Sequence, residues 1–470
     1  TELPETASTT PTAPSESKAA RALVVGPKTM PLPEGLKSFA RAWPIHSVQA
    51  PGQVPLVFRP TPGHPTTTLL FCMRAGVRYE SAQHWGASHF LEHILMRGTD
   101  RYPTLFDLTR RIESLGGRIS AYSTRDLTAF WVKLPPGQEP VALEVLTQVL
   151  FHPTLAPEFI EAERAIIRQE RLRERHNPAA FVSQAIESLL LQPSPLSRHP
   201  IGEDGELARM TPEFIRSFLD QYYHRSNLVI AAAGNLSANL PELVRRATDA
   251  LPDGPPAREA DFLLDSPLQG KSVVLHPSAS REQVFLGLGW SFPVSSRREL
   301  VTWRVVNTLL GAGYTSLLNQ CLREQESLTY VCSTALNTYA ETGLFKMHMA
   351  LAERDLEQVL ERVQGILDDL AGDRVPDDLF REAAVRHAAG IVLRWEDSLE
   401  VARLLGQTFS REGEPFRLDR YLEEVEAVTR EEASELARRF LTPNRRRALL
   451  HGGSPRLEKL FPEAGIYPTG

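Results

Sequence analysis

His89-Phe90-Leu91-Glu92-His93 places two imidazoles and a carboxylate within five residues, as an H-x-x-E-H run. Positions i and i+4 of a helix lie one above the other, so His89 and His93 can present both rings to a single ion. Glu92 projects from the same side, near enough to take a proton from water activated there. The order reverses the better-known H-E-x-x-H run, and the chemistry it suits is metal-assisted hydrolysis. A catalytic zinc takes three protein ligands and keeps a fourth position open, so one ligand must come from elsewhere. The helical run 157–175 offers Glu163 and Glu170 on one face, and Glu170 lies 77 residues beyond His93. On that spacing Glu170 could coordinate directly, with Glu163 orienting a ligand or the water from behind. The same run is crowded with Arg and Glu, so spacing alone also fits an ordinary solvated face.

These side chains need elements to hold them. A helix is predicted over 87–97, anchored by Phe90, Leu91, Ile94 and Leu95, after a strand over 67–75. A second helix over 104–115 stops at Gly116-Gly117, and two strand-like runs fill 118–135. Helices follow at 139–151, 157–175 and 212–223, with a strand at 227–233. Pro252, Gly254, Pro255, Pro256 and Gly270 mark 252–270 as a linker. The pattern then restarts: residues 286–310 overlay 71–95 without a gap, as strand, polar turn and helix. In that overlay Arg304, Asn307 and Thr308 fall on His89, Glu92 and His93, so one zinc per chain is expected.

A chain of 470 residues exceeds one ordinary core, and two domains follow. The expected division is a disordered tail over 1–22, a metal-binding domain over 45–251, the linker, a homologous domain over 271–452, and a tail over 453–470. A net charge of −6 gives no sign of nucleic-acid binding, and no apolar run is long enough to span a bilayer. Cys72, Cys321 and Cys332 read as small buried hydrophobes; they lack the paired spacing of a zinc knuckle. Residues 1–17 are rich in Thr, Pro, Ser and Glu. Such a segment fits either an exported, periplasmic chain after removal of a signal or a cytoplasmic one.

HFLEHILMRGTDRYP (89–103), with ERAIIRQE (163–170) at this distance, resembles the pitrilysin and mitochondrial processing peptidase family of inverzincins, as a short two-domain bacterial-type member. The resemblance runs from about residue 50 to 450. It implies an α+β fold of two tandem homologous domains, each a mainly antiparallel sheet packed with helices. It makes Glu170 the third zinc ligand and Glu163 the additional glutamate of the site. Residues 311–330 resemble the family's glycine-containing loop and its arginine/tyrosine pair, here Arg323 and Tyr330. In relatives that pair reaches across from the non-zinc half and stabilises the tetrahedral intermediate. GGRISAYSTRDLTAF (116–130) resembles the exposed edge strand that takes up an extended peptide, which makes Ser120, Ala121 and Tyr122 substrate-binding.

Two departures stand out. Ser120 occupies the usual place of an asparagine, and Gly-Ala-Gly-Tyr replaces a more glycine-rich loop, so that Tyr314 either narrows the entrance or simply packs. The resemblance implies a zinc-dependent endopeptidase that cuts short or unfolded peptides inside an enclosed chamber. A homodimer is the expected assembly, with a heterodimer as the alternative. The rival is a non-catalytic or partner-dependent subunit of a peptide-processing complex. Retention of His89, Glu92, His93 and Glu170 weighs against it.

Overall fold

The computed structural model describes residues 31–50, 52–257, 271–276 and 282–466. The expected N-terminal tail and residues 258–270 of the expected linker lie outside the described residues.

The first half builds a sheet from β1 (His46–Val48), β2 (Leu56–Pro60), β3 (Thr67–Met73), β4 (Arg118–Ser123), β5 (Thr128–Leu134) and β6 (Leu228–Gly234), in the order β1-β2-β6-β3-β5-β4. The second uses β7 (Val273–His276), β8 (Gln283–Pro293), β9 (Thr329–Thr338), β10 (Thr342–Ala352), β11 (Arg447–Gly452) and β12 (Gly465–Ile466), in the order β12-β7-β11-β8-β10-β9. β2 runs parallel to β6 and β7 parallel to β11, while the next three pairings in each sheet are antiparallel. The two halves therefore share one five-stranded topology, and the fold is α+β with two tandem domains. Residues 453–466, set apart in the sequence as part of a tail, instead contribute β12, which pairs with β7 and extends the second sheet.

Nine helices are described in the first half: α1 (Glu34–Ala42), α2 (Ala87–Ile94), α3 (Leu105–Glu113), α4 (Glu139–Phe151), α5 (Pro157–Arg175), α6 (Pro178–Leu191), α7 (Asp204–Ala208), α8 (Pro212–Tyr222) and α9 (Leu240–Thr248). The second half has α10 (Arg297–Gly311), α11 (Leu356–Ala371), α12 (Asp377–Leu393), α13 (Ser398–Glu412), α14 (Leu418–Ala427), α15 (Arg430–Phe440) and α16 (Arg456–Leu460). Local signals set their ends. Thr104 caps α3 by accepting from Asp107 N, Asn177 caps α6, and Thr429 and Glu432 close a capping box on α15.

The halves exchange helices: α1 packs on α12 and α14 of the second half, and α6 and α13 each cover the other half's sheet. α6 crosses to the second sheet and presses Val182, Ile186 and Leu190 onto Gly287 and Gly289 of β8. A Cβ on Gly289 would sit 2.4 Å from Leu190 Cδ1, so only glycine lets the helix come this close. α13 returns the exchange: its Gly406 lies against Cys72, Leu70 and Ala231 of the first sheet. With helices on both faces, β3 is buried along its whole length, which explains its uninterrupted apolar run. A polar seam joins the halves beside α6. Glu187 accepts from Lys346 Nζ at 2.6 Å and also from Arg125 and Tyr339, all four side chains being buried. Arg78 bridges Asp126 at 2.8 Å and Glu341 at 2.5 Å.

Candidate metal centre and substrate edge

α2 is seated by Phe90, Leu91 and Ile94, all buried in the first core. Its N-terminal N–H groups are satisfied by Glu80, whose carboxylate accepts from Gly86 N at 2.9 Å and Ser88 N at 2.8 Å. Burial pushes the Glu80 carboxyl up to about 7 against the pull of those bonds. α5 packs across α2 and delivers its two glutamates to the histidines.

His89 Nε2 and His93 Nε2 each lie 3.4 Å from the same Glu170 oxygen, Oε2. A tetrahedral zinc with bonds of 2.0–2.1 Å has ligand-to-ligand edges of about 3.3–3.4 Å. Two edges of the triangle therefore already have zinc dimensions, and all the ligand atoms lie within 4.8 Å of one another. His89 Nε2 is buried and has no hydrogen-bond partner, an arrangement that a metal would complete. The donor set of two imidazoles and one carboxylate suits zinc and leaves a fourth position for water or substrate. Among the described residues, no other group of three or more His, Cys, Asp or Glu side chains has metal-binding geometry. Arg304, Asn307 and Thr308 stand at the corresponding place on α10, and the three cysteines are free.

Glu163 does not join the triangle. It is buried and accepts from His93 Nδ1 at 2.9 Å and from Arg97. That bond holds the Nδ1 proton, so that with a metal present Nε2 would be the nitrogen left to bind it. Burial opposes a charge on His93, yet Glu163 and Glu170 lift its pKa to about 9 in the metal-free chain. The imidazoles of His89 and His93 in turn hold the Glu170 carboxyl well below the usual range. Glu163→Gln is expected to weaken zinc binding by about 10- to 100-fold, read by competition against a chromogenic chelator. Unchanged affinity would show that the Glu163–His93 bond is incidental.

Glu92 sits beside the cluster, its Oε2 3.7 Å from His89 Nδ1. Ser123, which sequence reasoning passed over, places its Oγ 3.3 Å from the same Nδ1. Strand alternation then sorts β4: Ile119, Ala121 and Ser123 face the metal side, whereas Ser120 and Tyr122 face α13. Tyr122 confirms its own side by accepting from Gln407 Nε2 of α13 at 3.1 Å. β4 is the outermost strand of its sheet, with its outer main-chain groups unpaired by any described strand.

Arg323 lies in a π-helical turn, Asn319–Gln325, of the kind often found at functional positions. Its guanidinium stands 5.1 Å from the Tyr314 ring centroid and 5.7 Å from that of Tyr330. The two tyrosines are 68% and 80% exposed, so Tyr314 is no packing residue and Tyr330 is open to a partner or substrate. Among the described residues, no hydrogen bond, ion pair or ring contact links Arg323 or Tyr330 to the metal cluster of the same chain.

Comparison with known proteins matches residues 56–204 to insulinase (peptidase family M16) and residues 209–384 to the peptidase M16 inactive domain. The chain belongs to the M16 family. It is a zinc metalloprotease by that membership; the first model covers α2 and α5, and the second runs from α8 of the first half into α12 of the second. The M16 chain is 26% identical over 407 residues to an uncharacterized zinc protease of Streptomyces coelicolor, covering 84% of this chain and 87% of that one. It is 26% identical over 392 residues to a probable mitochondrial-processing peptidase subunit beta of Arabidopsis thaliana, covering 80% and 72%. A solved peptidase M16 inactive domain from Pseudomonas fluorescens shares the fold, with a TM-score of 0.78 at 17% identity over 90% of this chain and 100% of that one. No described helix is long and apolar enough to cross a membrane.

Proposed function

We propose that the M16 chain is an endopeptidase for short or unfolded peptides, with one zinc held by His89, His93 and Glu170. The observation that carries this reading is the pair of 3.4 Å separations, which give the three side chains the dimensions of a zinc site. Bound zinc would polarise the scissile carbonyl and lower the pKa of water beside it. Glu92 takes the proton from the attacking water and later hands it to the leaving amine. Glu163 keeps His93 in the tautomer that leaves Nε2 free. The unpaired edge of β4 binds the peptide through its main chain, with Ala121 and Ser123 toward the metal and Ser120 contributing backbone alone.

Two copies enclosing the site are the assembly this reading favours. Arg323 and Tyr330 make no contact with their own metal cluster, and Tyr330 is 80% exposed, as a group that serves a second subunit must be. Mixing Glu92→Gln chains with Tyr330→Phe chains tests this. If the pair acts across a two-fold dimer, mixed dimers regain one complete site, and random mixing restores about a quarter of wild-type activity. Absence of any rescue would place the pair within its own chain. The likeness to a processing-peptidase subunit keeps one rival in view, a chain that works only beside a different partner. Cleavage by the purified chain alone, on a single gel-filtration peak, would dismiss it.

A further inference from the structure

A cavity of about 1050 Å³ opens in the second half, at the place that the duplication assigns to the metal centre of the first. Arg304, Asn307 and Thr308, which stand where His89, Glu92 and His93 stand, all line it. α12 packs across α10 as α5 packs across α2, and contributes Arg386 and His387 to the wall. The hollow stands at the equivalent position, with Arg304, Asn307 and Thr308 in place of the metal-binding set and further guanidinium groups gathered around it.

Six arginines line it, Arg297, Arg304, Arg386, Arg394, Arg403 and Arg411, against two glutamates, Glu400 and Glu412. Both carboxylates are engaged. Glu400 accepts from Arg403 at 3.0 Å, and Glu412 lies 3.3 Å from Arg411 and 3.6 Å from Arg297. Among the described residues, Arg304, Arg386 and Arg394 form no ion pair with any carboxylate. Arg304 lies over the Tyr421 ring at 5.3 Å, while Arg386 donates to the carbonyls of Ala312 and Thr308. Arg386 Nε, Arg403 Nε and Arg297 Nη2 are buried with no hydrogen-bond partner. His387, between Thr308 Oγ1 at 3.3 Å and Tyr421 Oη at 2.7 Å, is pushed down to about 3 by burial and by the charges of Arg304 and Arg394. Arg297 is paired outside the lining by Glu424 at 2.8 Å, which leaves Arg304, Arg386 and Arg394 as the cavity's uncompensated charges, in a chain whose net charge is −6.

Its position says which anion fits. Tyr314 stands at its rim and under Arg323, so the cavity adjoins the Arg323–Tyr330 pair. Leu336 and Thr338 of β9 line it, and β9 is the outermost strand of the second sheet. From the opposite wall, Gln407 and Arg403 reach Tyr122 of β4, at 3.1 Å and over its ring at 5.0 Å. A chain lying along either free edge would pass the cavity with its side chains in reach of the arginines. We infer that this cavity receives acidic side chains of the extended peptide substrate, in a segment adjoining the one held at Arg323 and Tyr330. The inference rests on the peptidase reading, and it makes the M16 chain selective for peptides with an acidic stretch beside the cleavage point.

Binding tests it without turnover. Fluorescein-labelled ten-residue peptides, one rich in Glu and one of the same pattern in Gln, are titrated by anisotropy against the full Glu92→Gln chain. The Glu peptide is expected to bind at least about tenfold tighter, with the advantage shrinking as salt rises. Adding Arg304→Gln and Arg394→Gln should bring its affinity down to that of the Gln peptide, which itself should not change. Should that variant fail to fold, Arg394→Glu alone, at an exposed side chain without an ion pair, must weaken only the Glu peptide. Equal affinity of the two peptides overturns the inference, as does a preference that survives loss of the arginines. So does inorganic triphosphate binding at these arginines with no preference between the peptides, which would make the cavity a small-anion site. Loss of peptide hydrolysis in the parent chain would sink the catalytic reading while leaving a charge-dependent binding result in place.

Discussion

Glu92→Gln is expected to lower peptide hydrolysis by a factor on the order of 10² to 10⁴ with zinc content unchanged. Glutamine keeps the size and planar shape of the side chain but cannot accept the proton of the attacking water at neutral pH. Glu92 is not one of the three ligands; its nearest contact in the cluster is His89 Nδ1 at 3.7 Å, on the ring nitrogen away from Glu170. Metal affinity should therefore survive, and so should substrate affinity, since the proposed reading holds the peptide on β4. The loss falls on kcat with KM little changed, as for an interaction made only in the transition state. Steady-state kinetics beside metal analysis of both proteins reads this directly. A variant that keeps more than a tenth of wild-type kcat would remove Glu92 from the role of base.

Glu187→Ala should destabilise the fold by about 3–5 kcal/mol, the usual effect of removing one partner from a buried ion pair. Glu187 is 4% exposed, and its loss strands Lys346 and Arg125, 3% and 5% exposed, between α6 and the second sheet. Urea unfolding measures the change. The double variant Glu187→Ala/Lys346→Met should lose less than Glu187→Ala alone, because no unpaired ammonium remains facing the gap. Acid should act through the same group. Burial alone would raise the Glu187 pKa, but Arg125 and Lys346 outweigh it and hold the carboxyl below its ordinary value. A depressed folded pKa gives stability that is complete above the unfolded value of about 4.3 and is lost as pH falls through the folded one. Wild type should thus lose stability below about pH 4 more steeply than Glu187→Gln.

How far these features can be read from the chain depends on the range of the interaction that makes them. The H-x-x-E-H run is legible because one helical turn brings His89 and His93 together, and α2 forms where the apolar residues say it should. The restart at 286 is legible for the same reason, as a local pattern repeated. Glu170 is different: its place depends on α5 crossing α2, which no spacing within α5 encodes. The partners of Glu163 and His89, Arg97 and Ser123, follow from the same crossing and from the register of β4. The facing of Ser120 follows from alternation once Ser123 is placed, so its side chain lies on the face away from the metal cluster.

α6 carries a clear start in Asn177-Pro178 and an apolar run, yet nothing in it says that its target is the other half's sheet. Gly287, Gly289 and Gly406 hold that information, and a lone glycine in a strand or helix reads as a weak point until its neighbour is known. Glu187, Arg125 and Lys346 look like surface charges in a linear sequence. The arginines of the cavity in the second half are similar, since α10, α12, the turn after α12 and α13 contribute only one or two each.

The measurement that tests the central claim most directly is metal content and cleavage on the same purified chain. Zinc is quantified, removed with a chelator and returned, and a mixed panel of extended peptides is assayed at each stage. The account predicts about one zinc per chain, loss of cleavage on chelation, recovery on adding zinc, and neither binding nor cleavage in a His93→Ala chain. A zinc-loaded chain that cuts none of the peptides, or one whose cleavage is indifferent to chelation and to His93→Ala, would contradict it.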